Sequence, residues 1–235
     1  MKALLLDLDD TLLDYSGGVD ECWAGACGSV SHGLDQAALI LSLAEARRTF
    51  WSDPERNRRE RVDMLGAWRK IVEDALGRCG GRVPEGTALA IAEDFAARRR
   101  TAMRLFPEAR GCLEQLRTAG IALALVTNGD ARQQRDKIER HDLTRFFDAI
   151  VIEGEFGVGK PEEAVYRAAL DALRAPAAEA WMVGDHLEFD VAGPQRLGLR
   201  GVWIDRAGAG LPPDSRVRPD RIIRALTELD VPSLR

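Results

Sequence analysis

A chain of 235 residues is long enough for one large domain or two smaller ones and for a sizeable apolar core. With 33 basic and 38 acidic residues and a formal net charge of −5, it lacks the basic excess of a nucleic-acid-binding domain, so no nucleic-acid polymer partner is expected and small-molecule chemistry is favoured. No apolar run approaches the roughly 20 residues that span a bilayer, no signal peptide is apparent, and the four cysteines show neither a CxxC pair nor zinc-finger spacing. The expectation is a cytoplasmic protein with reduced thiols and no membrane partner; oligomeric state is not legible.

The chain opens on Lys2-Ala3-Leu4-Leu5-Leu6-Asp7-Leu8-Asp9-Asp10-Thr11-Leu12-Leu13-Asp14. An apolar run of strand length ends in two carboxylates one residue apart, with a Thr two residues after the second. Unpaired carboxylates against apolar surroundings are costly, so a compensating cation or a protonated form is required. A divalent metal is the natural candidate, and magnesium suits hard oxygen ligands of which only one or two come from protein. Taken alone, the pair could equally open a turn or cap a helix.

Residues 14–18 read as a linker ending in Gly17-Gly18. From there to about residue 100 the pattern is helical. Leu39, Ile40, Leu43 and Ala44 mark one apolar face, and Met64, Leu65, Trp68, Ile71, Val72 and Leu76 another. Residues 80–84 break the pattern, and an Ala- and Arg-rich helix resumes over 85–100. Arg56, Arg58, Arg59 and Arg61, with Trp51 and Trp68 nearby, could grip an anion, but interleaved Glu55 and Glu60 fit a solvated charged face better; Arg98-Arg99-Arg100 reads the same way. His32 and His141 read as surface residues.

Leu105-Phe106-Pro107 ends the helical region. A short helix over 109–119, closed by Gly120, leads to the unbroken apolar run of residues 121–126, as expected of a parallel strand covered on both faces. There follow a helix over 130–141, a strand over 149–152, a helix over 161–173, a strand over 180–183, a helix over 187–197 and a strand over 201–204. A loop over 211–219 precedes a last helix. The alternation predicts an α/β fold, a doubly wound parallel (Rossmann-like) sheet with an inserted all-helical cap: residues 1–15 and 105–235 as core, 16–104 as cap.

Ligands in such a sheet bind beyond the carboxyl ends of the strands. Those ends carry Asp7 and Asp9, then Thr127-Asn128-Gly129, then Gly159-Lys160-Pro161, then Gly184-Asp185-His186 with Asp190. This is an inventory for phosphoryl transfer: a carboxylate to attack phosphorus, a second to move protons, a lysine and a metal to neutralise charge, and a hydroxyl to bind oxygens. Singly, Thr127 is an ordinary turn residue, Lys160 a surface lysine and Asp185 a helix cap; together and in order they are not.

In this order the four motifs resemble those of the haloacid dehalogenase-like superfamily of hydrolases, over the whole chain. The resemblance implies Asp7 as nucleophile, Asp9 as general acid and base, Thr127 and Asn128 at the phosphate, and Lys160 bridging nucleophile and phosphate. It also implies Mg2+ held by Asp7, the backbone carbonyl of Asp9 and Asp185, with Asp190 a ligand or one step removed. A carboxylate at Asp9 favours phosphatases of small phosphorylated metabolites, such as a sugar phosphate or nucleotide, over 2-haloacid dehalogenases, while phosphomutases stay open. Within the superfamily, the runs at residues 125–139 and 183–190 are similar to those of N-acylneuraminate-9-phosphatases, with pyrimidine 5'-nucleotidases of similar layout. Pro194 stands where a small residue is usual. The helical cap is expected to open and close over the site.

Overall fold

The structure is a computed structural model describing residues 2–30, 33–80 and 82–229; His32 and Gly81 of the sequence reading lie outside the described residues. It comprises two compact units, Met1–Tyr15 with Arg104–Arg235, and Ser16–Met103.

The first unit is built on a six-stranded parallel sheet ordered β5-β4-β1-β6-β7-β8. These strands are β1 (Ala3–Leu6), β4 (Ala122–Thr127), β5 (Ala149–Ile152), β6 (Ala180–Gly184), β7 (Arg200–Ile204) and β8 (Arg221–Ile223). β1 lies between β4 and β6 with all four residues buried, which is why it can be apolar without alternation. On one side of the sheet Leu5, Val126 and Met182 pack against Val165, Tyr166 and Ala169 of α9 (Glu163–Leu173). Chain order reverses direction at β1, with β4 and β5 to one side and β6 to β8 on the other. The ends of β1, β4 and β6 therefore meet at a switch point.

Three local expectations need correction. The presumed linker at 14–18 begins with β2 (Leu13–Asp14), which pairs antiparallel with β3 (Arg104–Leu105), so the chain leaves and re-enters this unit through a paired ladder. In place of a last helix the described residues hold the edge strand β8 and a single 3₁₀ turn at Leu226–Glu228. The helix expected over 187–197 is a π-turn segment, Leu187–Ala192, continued by α10 (Gly193–Gln195). Pro194 has no N–H to offer the carbonyl of Phe189 five residues earlier, and the Tyr166 hydroxyl donates to that carbonyl instead. The remaining helices of this unit are α6 (Ala109–Thr118), α7 (Ala131–Arg140) and α8 (Glu153–Phe156).

The second unit holds α1 (Val19–Ser29), α2 (Gln36–Trp51), α3 (Pro54–Glu60), α4 (Met64–Cys79) and α5 (Thr87–Ala102). Asp35, Asp53 and Asp63 cap α2, α3 and α4, each accepting a backbone N–H of the first turn. Its core gathers Leu39, Leu43, Ile71 and Val72 around Trp23, which stacks on Phe95 at 3.5 Å between ring centroids. The apolar stripes are shifted slightly from expectation: Ala46 rather than Ala44 is buried on α2, and Leu65 on α4 is 37% exposed. Arg99 is not on a solvated face; it is buried, and its guanidinium donates to the Gly17 carbonyl at 2.7 Å. The four cysteines are free, and no helix among the described residues is long and apolar enough to cross a membrane.

Candidate active site

Asp7 extends β1 by one residue, its N–H donating to the Val183 carbonyl at 3.0 Å, and so its side chain emerges at the carboxyl edge of the sheet. The carboxylate is buried and accepts from Lys160 Nζ at 2.6 Å on Oδ1, with the Thr11 hydroxyl 3.4 Å from Oδ2. The chain then turns sharply. Leu12 and Leu13 both donate to the Leu8 carbonyl, and Asp10 adopts a left-handed backbone (φ 56°) that sends its carboxylate to the Tyr15 N–H. Arg206, following β7, braces this turn: it donates to the carbonyls of Asp10 (3.1 Å) and Thr11 (2.6 Å), pairs with Glu108 and covers the Phe106 ring.

Lys160 is almost wholly enclosed, and its ammonium is shared between Asp7 and Asp190, the latter at 2.7 Å. Burial alone would lower its pKa, but Asp190 and Asp7 outweigh burial and raise it. Its backbone is fixed by the Asn128 amide, which donates to the Lys160 carbonyl at 2.8 Å and accepts its N–H at 2.7 Å. The side chain of Asn128 is therefore taken up in holding the lysine loop. Gly159 is required beside it, because a Cβ there would lie 2.5 Å from the Glu153 carboxylate and 2.6 Å from Asn128 Oδ1. Glu153 in turn accepts the Gly129 N–H at 2.9 Å, joining the loops after β4 and β5.

Asp190 uses both oxygens, one on Lys160 and the other on the His186 N–H at 3.0 Å. It presses against Gly184, where a Cβ would come within 2.2 Å of the Asp190 carboxyl carbon. His186 is exposed and stacks on Phe189 at 3.9 Å, its Nδ1 accepting the Phe189 N–H, so it caps the π segment and forms part of the rim. Asp185 has its carbonyl held by Trp203 Nε1 at 2.7 Å. His141, which does not line this cavity, is half-buried, and its Nε2 is enclosed without a hydrogen-bond partner.

Each of Asp7, Asp185 and Asp190 has a carboxylate oxygen within 4.8 Å of the others'. Burial pushes Asp7 up to about 7 and Asp185 up to about 8, with the neighbouring carboxylates adding to both shifts. With all three carboxylates ionised, the Lys160 ammonium on Asp7 and Asp190 offsets one charge and leaves two, the charge of one divalent cation. Hard oxygen donors of this charge and spacing fit magnesium.

Asp9 turns the other way, onto α7. Lys137 Nζ lies 2.9 and 2.8 Å from its two oxygens and Gln134 Nε2 3.1 Å from one of them. Gln134 also donates to the Thr127 hydroxyl at 2.6 Å and to the Asn128 carbonyl at 2.9 Å. Together Asp7, Asp9, Thr127, Lys160, Asp185 and Asp190 line one cavity of about 170 Å³. The candidate side chains from the strand ends, Asp7, Asp9, Thr127, Asn128, Lys160, Asp185 and Asp190, thus meet at one place. Gln134, Lys137, Glu153 and Arg206 were not singled out from the sequence. For the first two a signal existed: Ile138 is the lone bulky apolar residue of α7, so a helix this polar can pack on the sheet only by burying polar side chains.

A family model described as haloacid dehalogenase-like hydrolase matches residues 1–198. Phosphoserine phosphatase of Thermus thermophilus is 36% identical, the alignment spanning 97% of this chain and 98% of that protein. N-acylneuraminate-9-phosphatase of Rattus norvegicus is 28% identical over 97% of this chain and 92% of its own. The crystal structure of a 2-haloacid dehalogenase from Pseudomonas syringae pv. Tomato superposes with a TM-score of 0.67 at 27% identity, covering 100% of this chain and 97% of that one. With its strand-end carboxylates and lysine standing in one cavity and the family model spanning most of its length, the chain belongs to the haloacid dehalogenase-like hydrolases.

Proposed function

We propose that this hydrolase is a magnesium-dependent phosphatase that cleaves a small phosphate monoester, a sugar phosphate, nucleotide or phosphorylated amino acid, through an aspartyl-phosphate on Asp7. The observation that carries the reading is the enclosure of the Asp7 carboxylate against Lys160 at a cavity wall that also holds Asp9, so that a nucleophile and a second carboxylate face one small space. The relatives named for phosphoserine and N-acylneuraminate phosphatase support the same class of substrate.

In the first step an Asp7 carboxylate oxygen attacks phosphorus, the ester P–O bond breaks, and Asp9 gives its proton to the departing oxygen. In the second, Asp9 takes a proton from water as that water attacks phosphorus, and Asp7 leaves as a carboxylate. Lys160 keeps Asp7 oriented and offsets charge on the transferring group, and the Thr127 hydroxyl donates to a phosphoryl oxygen. Asp7, Asp185 and Asp190, with the backbone carbonyl of Asp9, would hold magnesium, which when bound adds positive charge against the phosphoryl oxygens. The helical unit, residues 16–104 in the sequence reading, is assigned the choice of substrate as a cap.

The test is phosphate release from phosphoserine, sugar phosphates, nucleoside monophosphates and p-nitrophenyl phosphate, with and without magnesium. Metal-dependent release that vanishes in Asp7→Asn, with circular dichroism unchanged, is expected. Activity in that variant comparable to wild type would end the mechanism, and halide release from a 2-haloacid would move the chain to the dehalogenase branch.

A further inference from the structure

Asp9 has to deliver a proton along one direction, and nothing in β1 fixes that direction, because the residue sits past the strand in a turn. The restraint comes from α7. Lys137 is 3% exposed, with its ammonium on both Asp9 oxygens and 4.2 Å from the centre of the Tyr15 ring. Gln134, one helical turn earlier and 2% exposed, points one end of its amide at three oxygens, those of Asp9, Thr127 and Asn128. The Asn128 carbonyl can only accept, so that end must be the NH₂. The Thr127 oxygen is consequently an acceptor towards Gln134, and its own hydrogen is left for another partner. The Asn128 carbonyl, 3.4 Å away, is a long and weak partner for it.

We infer that Gln134 and Lys137 are positioning residues for the phosphatase reaction: they set the orientation of Asp9 as the acid and turn the Thr127 hydroxyl hydrogen towards the phosphate. The inference rests on the phosphatase reading above. Neither side chain touches the ester; both act through Asp9 and Thr127. The ion pair fixes the carboxyl plane, and the amide ties that plane to the strand end that binds phosphate. One helix thereby couples proton delivery to anion binding.

The test exploits leaving groups. p-Nitrophenolate departs from phosphorus with little need of a proton, whereas phenolate, of nearly the same shape, depends more on the acid. Lys137→Met should lower kcat/KM for phenyl phosphate about 10-fold more than for p-nitrophenyl phosphate, because a mispointed acid forfeits part of its general-acid contribution only where protonation matters. Gln134→Leu, which keeps the ion pair, should give a smaller split of the same sign, and it serves if Lys137→Met does not fold. Equal losses on both esters, or no loss, would mean that the pair merely supports the fold and would overturn the assignment. Wild-type protein inert towards both esters would instead bring down the phosphatase reading, and this inference with it.

Discussion

Lys160 Nζ donates to Asp7 at 2.6 Å and to Asp190 at 2.7 Å while the residue is only 2% exposed, so neither carboxylate can exchange this cation for water. Removing one member of a buried charge cluster leaves the others uncompensated, at a cost of about 3–5 kcal/mol. Lys160→Met is therefore expected to lose about 3 kcal/mol of stability in urea denaturation of the metal-free protein, together with turnover. An exposed lysine of ordinary function would show neither loss. Asn128 offers a contrast: its amide holds the backbone of Lys160 rather than a ligand, so its importance lies in where it puts the ammonium. Its place beside Thr127 in the sequence suggested anion binding, and no local pattern reveals that a side chain 32 positions from its partner closes a loop.

Elements differ in how far the sequence betrays them. β1, β4 and β6 are apolar almost without interruption because residues pointing to both faces of the sheet are buried, and their polar terminal residues mark the site directly. β8 is three residues long at the sheet edge and half-exposed, which leaves too little pattern to tell it from a helix. Gln134 and Lys137 look like solvent-facing residues of a polar helix; the sequence hints at their burial only through the lone bulky apolar Ile138 on α7, which does not say which polar side chains go inward. The paired segment β2 and β3 is two residues a side, below what periodicity can register. Glycines separate in the same way. At Gly184 an added Cβ would meet the Asp190 carboxyl carbon at 2.2 Å, whereas at Gly120 it would meet nothing within 4 Å and the difficulty is only a positive φ of 74°. Gly184→Ala should displace Asp190, loosen Lys160 and abolish most activity, with a stability loss of about 1–3 kcal/mol from overpacking. Gly120→Ala should cost about 1–2 kcal/mol and leave kcat unchanged, as activity and urea titrations of the two variants will register.

At the scale of the whole molecule, the acidic centre makes stability depend on pH and, on the proposed reading, on a bound divalent cation. Asp7 is raised to about 7 and Asp185 to about 8 by burial and mutual repulsion, against an unfolded value near 4. Between those values the metal-free folded protein holds protons that the unfolded chain has given up. Its stability is accordingly highest at low pH within this window and declines as pH rises from about 4 towards 8. Magnesium held by these carboxylates, as proposed, would displace those protons, so its stabilising effect should grow over the same interval. The rise in Tm on adding magnesium is expected to be larger at pH 8 than at pH 5, and smaller at pH 8 in Asp185→Asn than in wild type. A metal-induced shift independent of pH would contradict this account of the site.

Arg206 lies beyond residue 198, where the match to the family model stops, yet it grips the carbonyls of Asp10 and Thr11 directly after Asp9. The residues that line the cavity all come before that limit, while the guanidinium that braces their first loop comes after it. Reading the chain's business as finished once its last acidic motif has passed would thus discard a working part. The closing stretch of polypeptide, unremarkable in composition, reaches back across 195 positions to steady the opening one.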